Sequence, residues 1–167
     1  MIFVGIDNGV TNNGIGAVNE KGEARLYKLP VKKELSYTKE AKHISRIDFP
    51  GLMNLFGEIA ADFDDHSVKV GLERPMVNST RFNATLSAIR ALEATLIALE
   101  RSQWAYEYID SKEWQKTLLP KGLKGSDELK AASLDVGKRM FPKLDIKKDA
   151  DGLLIAEYLR RKYTSKL

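Results

Sequence analysis

The stretch Ile2-Phe3-Val4-Gly5-Ile6-Asp7-Asn8-Gly9-Val10-Thr11-Asn12-Asn13-Gly14-Ile15-Gly16-Ala17-Val18 constrains the fold more than any other part of the chain. Two apolar runs of strand length are joined by a segment rich in Gly and Asn, residues that tolerate the backbone angles of a tight reversal. The expectation is a strand, a turn and a second strand, with one carboxylate, Asp7, carried to the lip of a sheet. An isolated Asp-Asn-Gly is also what an Asx-type turn looks like. The significance of Asp7 therefore depends on whether other acids reach the same place.

The rest of the chain supplies a regular order of elements. Ala24 to Leu29 alternates as a third strand after a Lys21-Gly22 turn, which completes an antiparallel meander. Pro30 to Arg46 is charged and lacks a clear period, so a loop is expected there, with at most a short helical turn. Pro50 fits a first helical turn, and Leu52, Leu55, Phe56, Ile59, Ala60 and Phe63 recur at helical spacing, predicting an amphipathic helix to about Asp64. Ser67 to Glu73 reads as a strand that again ends on a carboxylate, stopped by Arg74-Pro75. A polar loop from Met76 to Asn83 leads to a long helix from about Ala84 to Arg101, apolar on more than one side and so either sandwiched or at an interface. Trp104 to Ile109 is a fifth strand. Ser111 can cap a short helix through Lys116, Pro120 to Gly125 is a basic loop, and a helix follows from Ser126 to about Met140. Asp149 stands where it can cap a last helix from Ala150 to about Tyr163.

Length and composition bound the possibilities. With 167 residues, 43% of them hydrophobic, one domain spanning 1–167 with a sizeable core is expected. The absence of cysteine excludes disulfides, thiolate metal sites and a Cys nucleophile, and the two histidines, His43 and His66, sit in polar surroundings unsuited to a zinc site. The first apolar stretch is interrupted by Asp7 and has no basic region before it, so neither a signal peptide nor a membrane span is expected, and the expected location is the cytoplasm. Through Asp110 there are 13 basic and 15 acidic residues; from Ser111 onward there are 14 and 8. The excess of positive charge in the last third suits a polyanionic partner.

In a mixed sheet, parallel strands joined by right-handed crossovers bring their C-terminal ends to one edge. Asp7 and Glu73 end strands that can lie side by side, and a helix opening with Asp149 and Asp151 can complete a cluster from the facing layer. Clustered carboxylates repel one another, a cost that a divalent cation offsets; magnesium favours oxygen ligands and bridges carboxylates to phosphate. Two such ions roughly 4 Å apart activate a water and stabilise a departing phosphodiester oxygen. Acids at a sheet edge with a basic C-terminal third suggest a nuclease that needs no organic cofactor.

Three segments carry a resemblance: Gly5-Ile6-Asp7-Asn8-Gly9 through Gly14-Ile15-Gly16, then Leu72-Glu73-Arg74-Pro75, then Asp149-Ala150-Asp151-Gly152-Leu153-Leu154-Ile155-Ala156-Glu157-Tyr158. In this order they resemble the RuvC family of Holliday-junction resolvases, in particular its short bacteriophage-like members. The resemblance implies an α/β chain with an RNase H-like fold, a five-stranded mixed sheet whose first three strands are antiparallel, flanked by helices. It further implies a magnesium-dependent endonuclease, with manganese as a substitute, that acts as a homodimer. Such an enzyme nicks two opposed strands of a four-way DNA junction and leaves 5′-phosphate ends. Asp7, Glu73 and Asp151 match the family's metal ligands. A further acid or histidine usually stands three residues before the last of these, where this chain has Lys148. Positions three apart share a helix face, whereas positions two apart diverge by about 200°. Asp149 therefore serves only from a non-helical cap, and Asp145 is the remaining candidate.

Around the acids, Arg74, Asn78, Arg81 and Phe82 are candidate DNA contacts, with Phe82 or Arg81 standing in for an aromatic that the family often places near Met76. The alternative for Phe82 is a staple packed on the following helix. Lys112, Lys116, Lys121, Lys124 and Lys130 flank Trp114 in the basic third, and Lys116 and Lys130 fall about where similar enzymes carry lysines near the scissile phosphate. The helix Ala84 to Arg101 matches the family's dimer helix. Rival readings are a general branched-DNA or RNase H-like nuclease, a DNA-binding module with a decayed site, and the sugar-kinase, Hsp70 and actin superfamily. The last of these calls for a second phosphate turn and about twice the length.

Overall fold

A computed structural model of the chain describes residues 1–10, 14–37, 39–65 and 67–165. Strands β1 (Ile2–Ile6), β2 (Gly14–Asn19) and β3 (Ala24–Lys28) form the meander, followed by β4 (Val31–Leu35), β5 (His43–Ile47), helix α1 (Phe49–Phe63) and β6 (Val68–Glu73). A 3-10 turn (Ser79–Arg81) leads into α2 (Phe82–Arg101), then β7 (Ala105–Ile109), α3 (Ser111–Leu118), α4 (Gly125–Met140) and α5 (Asp151–Thr164). The main sheet has the order β3-β2-β1-β6-β7, antiparallel through the first three strands and parallel from β1 to β6 to β7. This is the five-stranded mixed sheet expected from the sequence. The hairpin turn expected at Thr11 to Asn13 lies outside the described residues, as does His66.

Side chains alternate across a strand, and that alternation assigns the two faces. Ile2, Val4 and Ile6 of β1, with Val70 and Leu72 of β6, enter one core together with Leu52, Phe56 and Ile59 of α1 and Ala91, Ala98 and Leu99 of α2. Phe3 faces the opposite way, into a second core built with Trp114 of α3, Val136 of α4 and Leu153 to Ala156 of α5. Asp7 and Glu73 continue the pattern on this second side. The pairing of Ile6 with Leu72 sets Asp7 beside Glu73 at the C-terminal edge of two adjacent parallel strands.

Helix α5 lies directly on β1 and β2, closer than side chains permit. A Cβ on Gly16 would stand 2.2 Å from Cα of Leu153, and one on Gly152 would stand 2.3 Å from the carbonyl oxygen of Gly14. Backbone meets backbone at this seam, so the N-terminus of α5 is fixed against the strand ends that carry the hairpin. Helix α2 with its preceding turn, Ser79–Arg101, is long and apolar enough to cross a membrane by length and composition, and here packs against α1 and β5.

Three local expectations are corrected. The segment Pro30 to Arg46, expected as a loop, contains β4 and β5, paired as an antiparallel ribbon from Val31 with Ile47 to Leu35 with His43. Most of its side chains are exposed, so no buried stripe imposes a two-residue period on the sequence. The ribbon is held by its backbone ladder, by ion pairs of Glu34 with Lys32 and Arg46 at 2.6 Å, and by Arg90 of α2, which donates to the Tyr37 hydroxyl at 3.1 Å. Second, α2 begins at Phe82 rather than Ala84, because Asn78 initiates the helical run: its Oδ1 accepts from the Thr80 backbone N–H at 2.9 Å. Third, α5 begins at Asp151, with Ala150 as the capping residue.

Candidate active site

Four carboxylates meet at the edge where β1, β6 and α5 end or begin. Asp7 and Glu73 are hydrogen-bonded to each other, and Asp149 and Asp151 lie within electrostatic reach of both. Burial is the leading cause of a raised pKa at each of them, because a desolvated carboxylate disfavours its charged form. Asp7 is pushed well above the ordinary range by burial and then by the charge of Glu73. Asp151 is pushed up to about 7 by burial, with Asp149 and Asp7 adding repulsion. Glu73 and Asp149 are also raised by burial.

Each acid is positioned by a specific partner. The Trp114 indole Nε1–H donates to Glu73 Oε1 at 3.1 Å, and the ring is almost wholly buried in the α5-side core. The buried Ser133 hydroxyl on α4 donates to Asp151 Oδ1. Asp149 accepts from the Asp151 backbone N–H at 2.9 Å, so it serves the open end of α5 from one position before the cap. There its backbone is outside the helix and its side chain swings inward to the other acids, escaping the 200° divergence of a regular helix. Asp145 is exposed and pairs with Lys147 at 3.1 Å.

Among the expected basic residues, Lys130 of α4 has a charge that reaches the acids and partly offsets the rise at Asp7, Asp149 and Asp151. Lys112, Lys116, Lys121 and Lys124 are exposed along α3 and the following loop. Arg74 is turned toward β7, with its guanidinium 4.9 Å from the Tyr108 ring centre and Nε 4.0 Å from Asp110. Arg81 is exposed at the start of α2, and Phe82 is 68% exposed, which does not fit the alternative of a packed staple. Asn78 uses its side chain to cap the 3-10 turn.

Trp114 and Ser133 were not singled out as partners of the acids by sequence reasoning. They lie 41 and 18 residues from the carboxylates they hold, separations with no periodic signature. Asn8 was likewise missed: its Nδ2 donates to the Ala88 carbonyl of α2 at 3.1 Å, while its buried Oδ1 has no hydrogen-bond partner among the described residues.

The donor set is all oxygen and suits a hard divalent cation. Among the described residues no group of three or more His, Cys, Asp or Glu side chains is placed so as to hold a metal ion without rearrangement. Hydrogen bonds hold the carboxylates instead, Asp7 with Glu73, Glu73 with Trp114 and Asp151 with Ser133. Buried acids with raised pKa values fit a cation, since positive charge beside them favours the ionised form that burial and mutual repulsion disfavour.

No protein-family model matches the sequence, and none of the curated proteins matches it either. Solved structures that share the fold include two of one protein. Thermus thermophilus RuvC in complex with a Holliday junction substrate is 18% identical, with 99% of this chain and 95% of that chain covered at a TM-score of 0.59. Thermus thermophilus RuvC determined as a further structure is 16% identical, with 99% and 96% covered at a TM-score of 0.57. The fold is therefore RuvC-like, of the RNase H type.

Proposed function

We propose that this chain of RuvC-like fold is a structure-specific endonuclease that resolves four-way DNA junctions by nicking two opposed strands. The observation that carries the reading is the burial of Asp7, Glu73, Asp149 and Asp151 in one cluster at the C-terminal edge of the sheet. The whole chain acts as a single nuclease domain in the cytoplasm.

Asp7, Glu73, Asp149 and Asp151 would hold two magnesium ions, for which manganese substitutes. When bound, these ions supply the charge that activates water and stabilises the leaving oxygen of a phosphodiester, giving a 5′-phosphate. Trp114 and Ser133 keep Glu73 and Asp151 in fixed rotamers, so that their oxygens are oriented before substrate arrives. Lys130 offers positive charge to the phosphate beside the acids. The exposed Phe82 offers an aromatic face that can stack on an unpaired base at the branch point, with Arg74, Asn78 and Arg81 as further DNA contacts. Two symmetric nicks call for two sites related by a two-fold axis. Helix α2, with Ile89 and Ile97 exposed, is the surface for that homodimer.

The direct test is incubation of the purified protein with a synthetic four-way junction and a linear duplex, with and without magnesium. Paired symmetric nicks confined to the junction are expected. Cutting of linear or simply forked DNA at equal rate would reassign the protein as a general nuclease, and no cutting would leave only DNA binding.

Stability should follow the acids in a stated direction. A carboxyl whose folded pKa exceeds its unfolded value stabilises the fold at low pH, and that contribution is lost as pH rises through the folded pKa. For Asp151 the window runs from 3.8 to about 7, worth roughly 4 kcal/mol at most. In EDTA the protein is expected to melt at a higher temperature at pH 5.5 than at pH 8, and magnesium should recover stability at pH 8. Equal melting temperatures across that range without metal would contradict the buried cluster.

Trp114→Phe keeps the buried ring and removes the donor to Glu73. A hydrogen bond to a charged group contributes roughly 1.5 kcal/mol, so Glu73 is expected to protonate more readily and the acid limb of the cleavage profile to move up by about one pH unit. Cleavage falls on the acid limb and recovers at higher pH. A uniform loss at every pH would make Trp114 a packing residue alone.

A further inference from the structure

Beside the acids lies a cleft of about 750 Å³, within the roughly 300–1,000 Å³ typical of small-molecule sites. Asp149, one of the four acids, forms part of its wall. Leu26 and Leu29, at the end of the meander, line it together with Val31, the first residue of β4. Its charged lining is Lys28, Lys147 and Lys148 together with the carboxylates Asp145 and Asp149. Lys147 is paired with Asp145, whereas Lys28 and Lys148 have no ion-pair partner among the described residues.

Apolar walls and unpaired cations in one cleft match the two halves of a nucleotide, a flat base and a phosphate. We propose that this cleft receives the nucleotide adjoining the scissile phosphate on the cut strand, its base unstacked against Leu26 and Val31 and its phosphate on Lys148 and Lys28. The assignment rests on the nuclease reading and extends it from where the strand is cut to which nucleotide is held there. Three observations support it independently. The cleft and the acids share Asp149. Lys148 lines the cleft next to Asp149 in the chain, and a cation there is suited to phosphate. Val31, at the start of β4, adds an apolar side chain to the lining that Leu26 and Leu29 begin. Because the base would be held out of its stack, the cleft selects the nucleotide next to the nick.

The test uses the full chain and a four-way junction whose nick has been mapped with the wild-type protein. In EDTA, with no turnover, 2-aminopurine is placed singly at successive positions around that nick. A several-fold rise in fluorescence on binding is expected at one position per cut strand, where the base leaves its stack, and Val31→Trp, which fills the cleft from an exposed strand position, should abolish it. With magnesium, Lys148→Ala should raise KM for the junction about tenfold with a smaller change in kcat, and Lys148→Arg should restore it. Junction nicking with no responsive position, or a response unchanged in Val31→Trp, overturns the cleft and leaves the nuclease reading standing. Suppression of the signal by micromolar free deoxynucleoside monophosphate would assign the cleft to a free nucleotide and equally overturn the proposal. Absence of nicking on any branched DNA removes both readings.

Discussion

Asp7→Asn is expected to lower cleavage of a four-way junction by about 10³-fold while the junction still binds, because the substitution removes the negative charge about which the site is arranged. The same variant should be more stable than the wild type at pH 8 in EDTA. Asp7 is held well above the ordinary carboxylate pKa by burial and by Glu73, so its ionised form opposes folding at that pH and a neutral amide does not. Loss of turnover with a gain in melting temperature is the pattern of a group kept for chemistry at the expense of stability. Retained turnover would remove Asp7 from the site, and a fall in melting temperature would mean that the carboxylate is chiefly a structural partner of Glu73.

The second large effect is expected at Gly152, which carries no functional group. An added methyl would stand 2.3 Å from the carbonyl oxygen of Gly14, 3.0 Å from that of Gly5 and 3.1 Å from the amide nitrogen of Gly16. All three neighbours are backbone in the sheet, so no side chain can turn aside. Gly152→Ala is expected to cost about 3 kcal/mol and to lower the melting temperature by roughly 6–12 °C for a chain of this size. Helix α5 must also lift, taking Asp151 with it, and a displacement of about 1 Å at a reacting centre can cost 10²-fold in rate. Gly57→Ala in α1 is the control, because a Cβ there meets nothing within 4 Å. It should leave cleavage intact and raise stability slightly, by roughly 0.5 to 1 kcal/mol. Equal melting temperatures for the two variants would show that α5 is free to shift on the sheet.

The sequence made the sheet legible where burial imposes a period. β1, β2 and β6 are apolar runs broken by an acid or a turn, and α1 repeats its apolar residues at helical spacing, so both kinds of element and the edge that gathers Asp7 and Glu73 could be read directly. The β4–β5 ribbon could not. Lys32 and Lys33 stand side by side in it, most of its side chains meet solvent, and its pairing depends on backbone groups that every residue type shares. The acids could be read, but their partners could not. Trp114 lies among lysines in the sequence and looks like part of a basic surface, yet α3 turns it into the core beneath Glu73. Ser133 is one small polar residue in a helix, and its hydroxyl has meaning only once α4 and α5 are packed together. The place of Asp149 was legible in part: the spacing required it to stand outside the helix, and its bond to the Asp151 N–H shows how it does so.

The bond between Trp114 and Glu73 also gives the molecule an optical property. Indole emission responds to the charge near its N–H, and the single polar atom of this buried ring is tied to one of the four acids. The chain has one other tryptophan, Trp104, whose ring stacks on Phe56 with centroids 4.4 Å apart in the opposite core. One indole therefore senses the protonation of Glu73 and any cation that comes to it, and the other provides a background set by the hydrophobic core. Events among the carboxylates can be followed in the unlabelled protein, by light emitted from beneath the site.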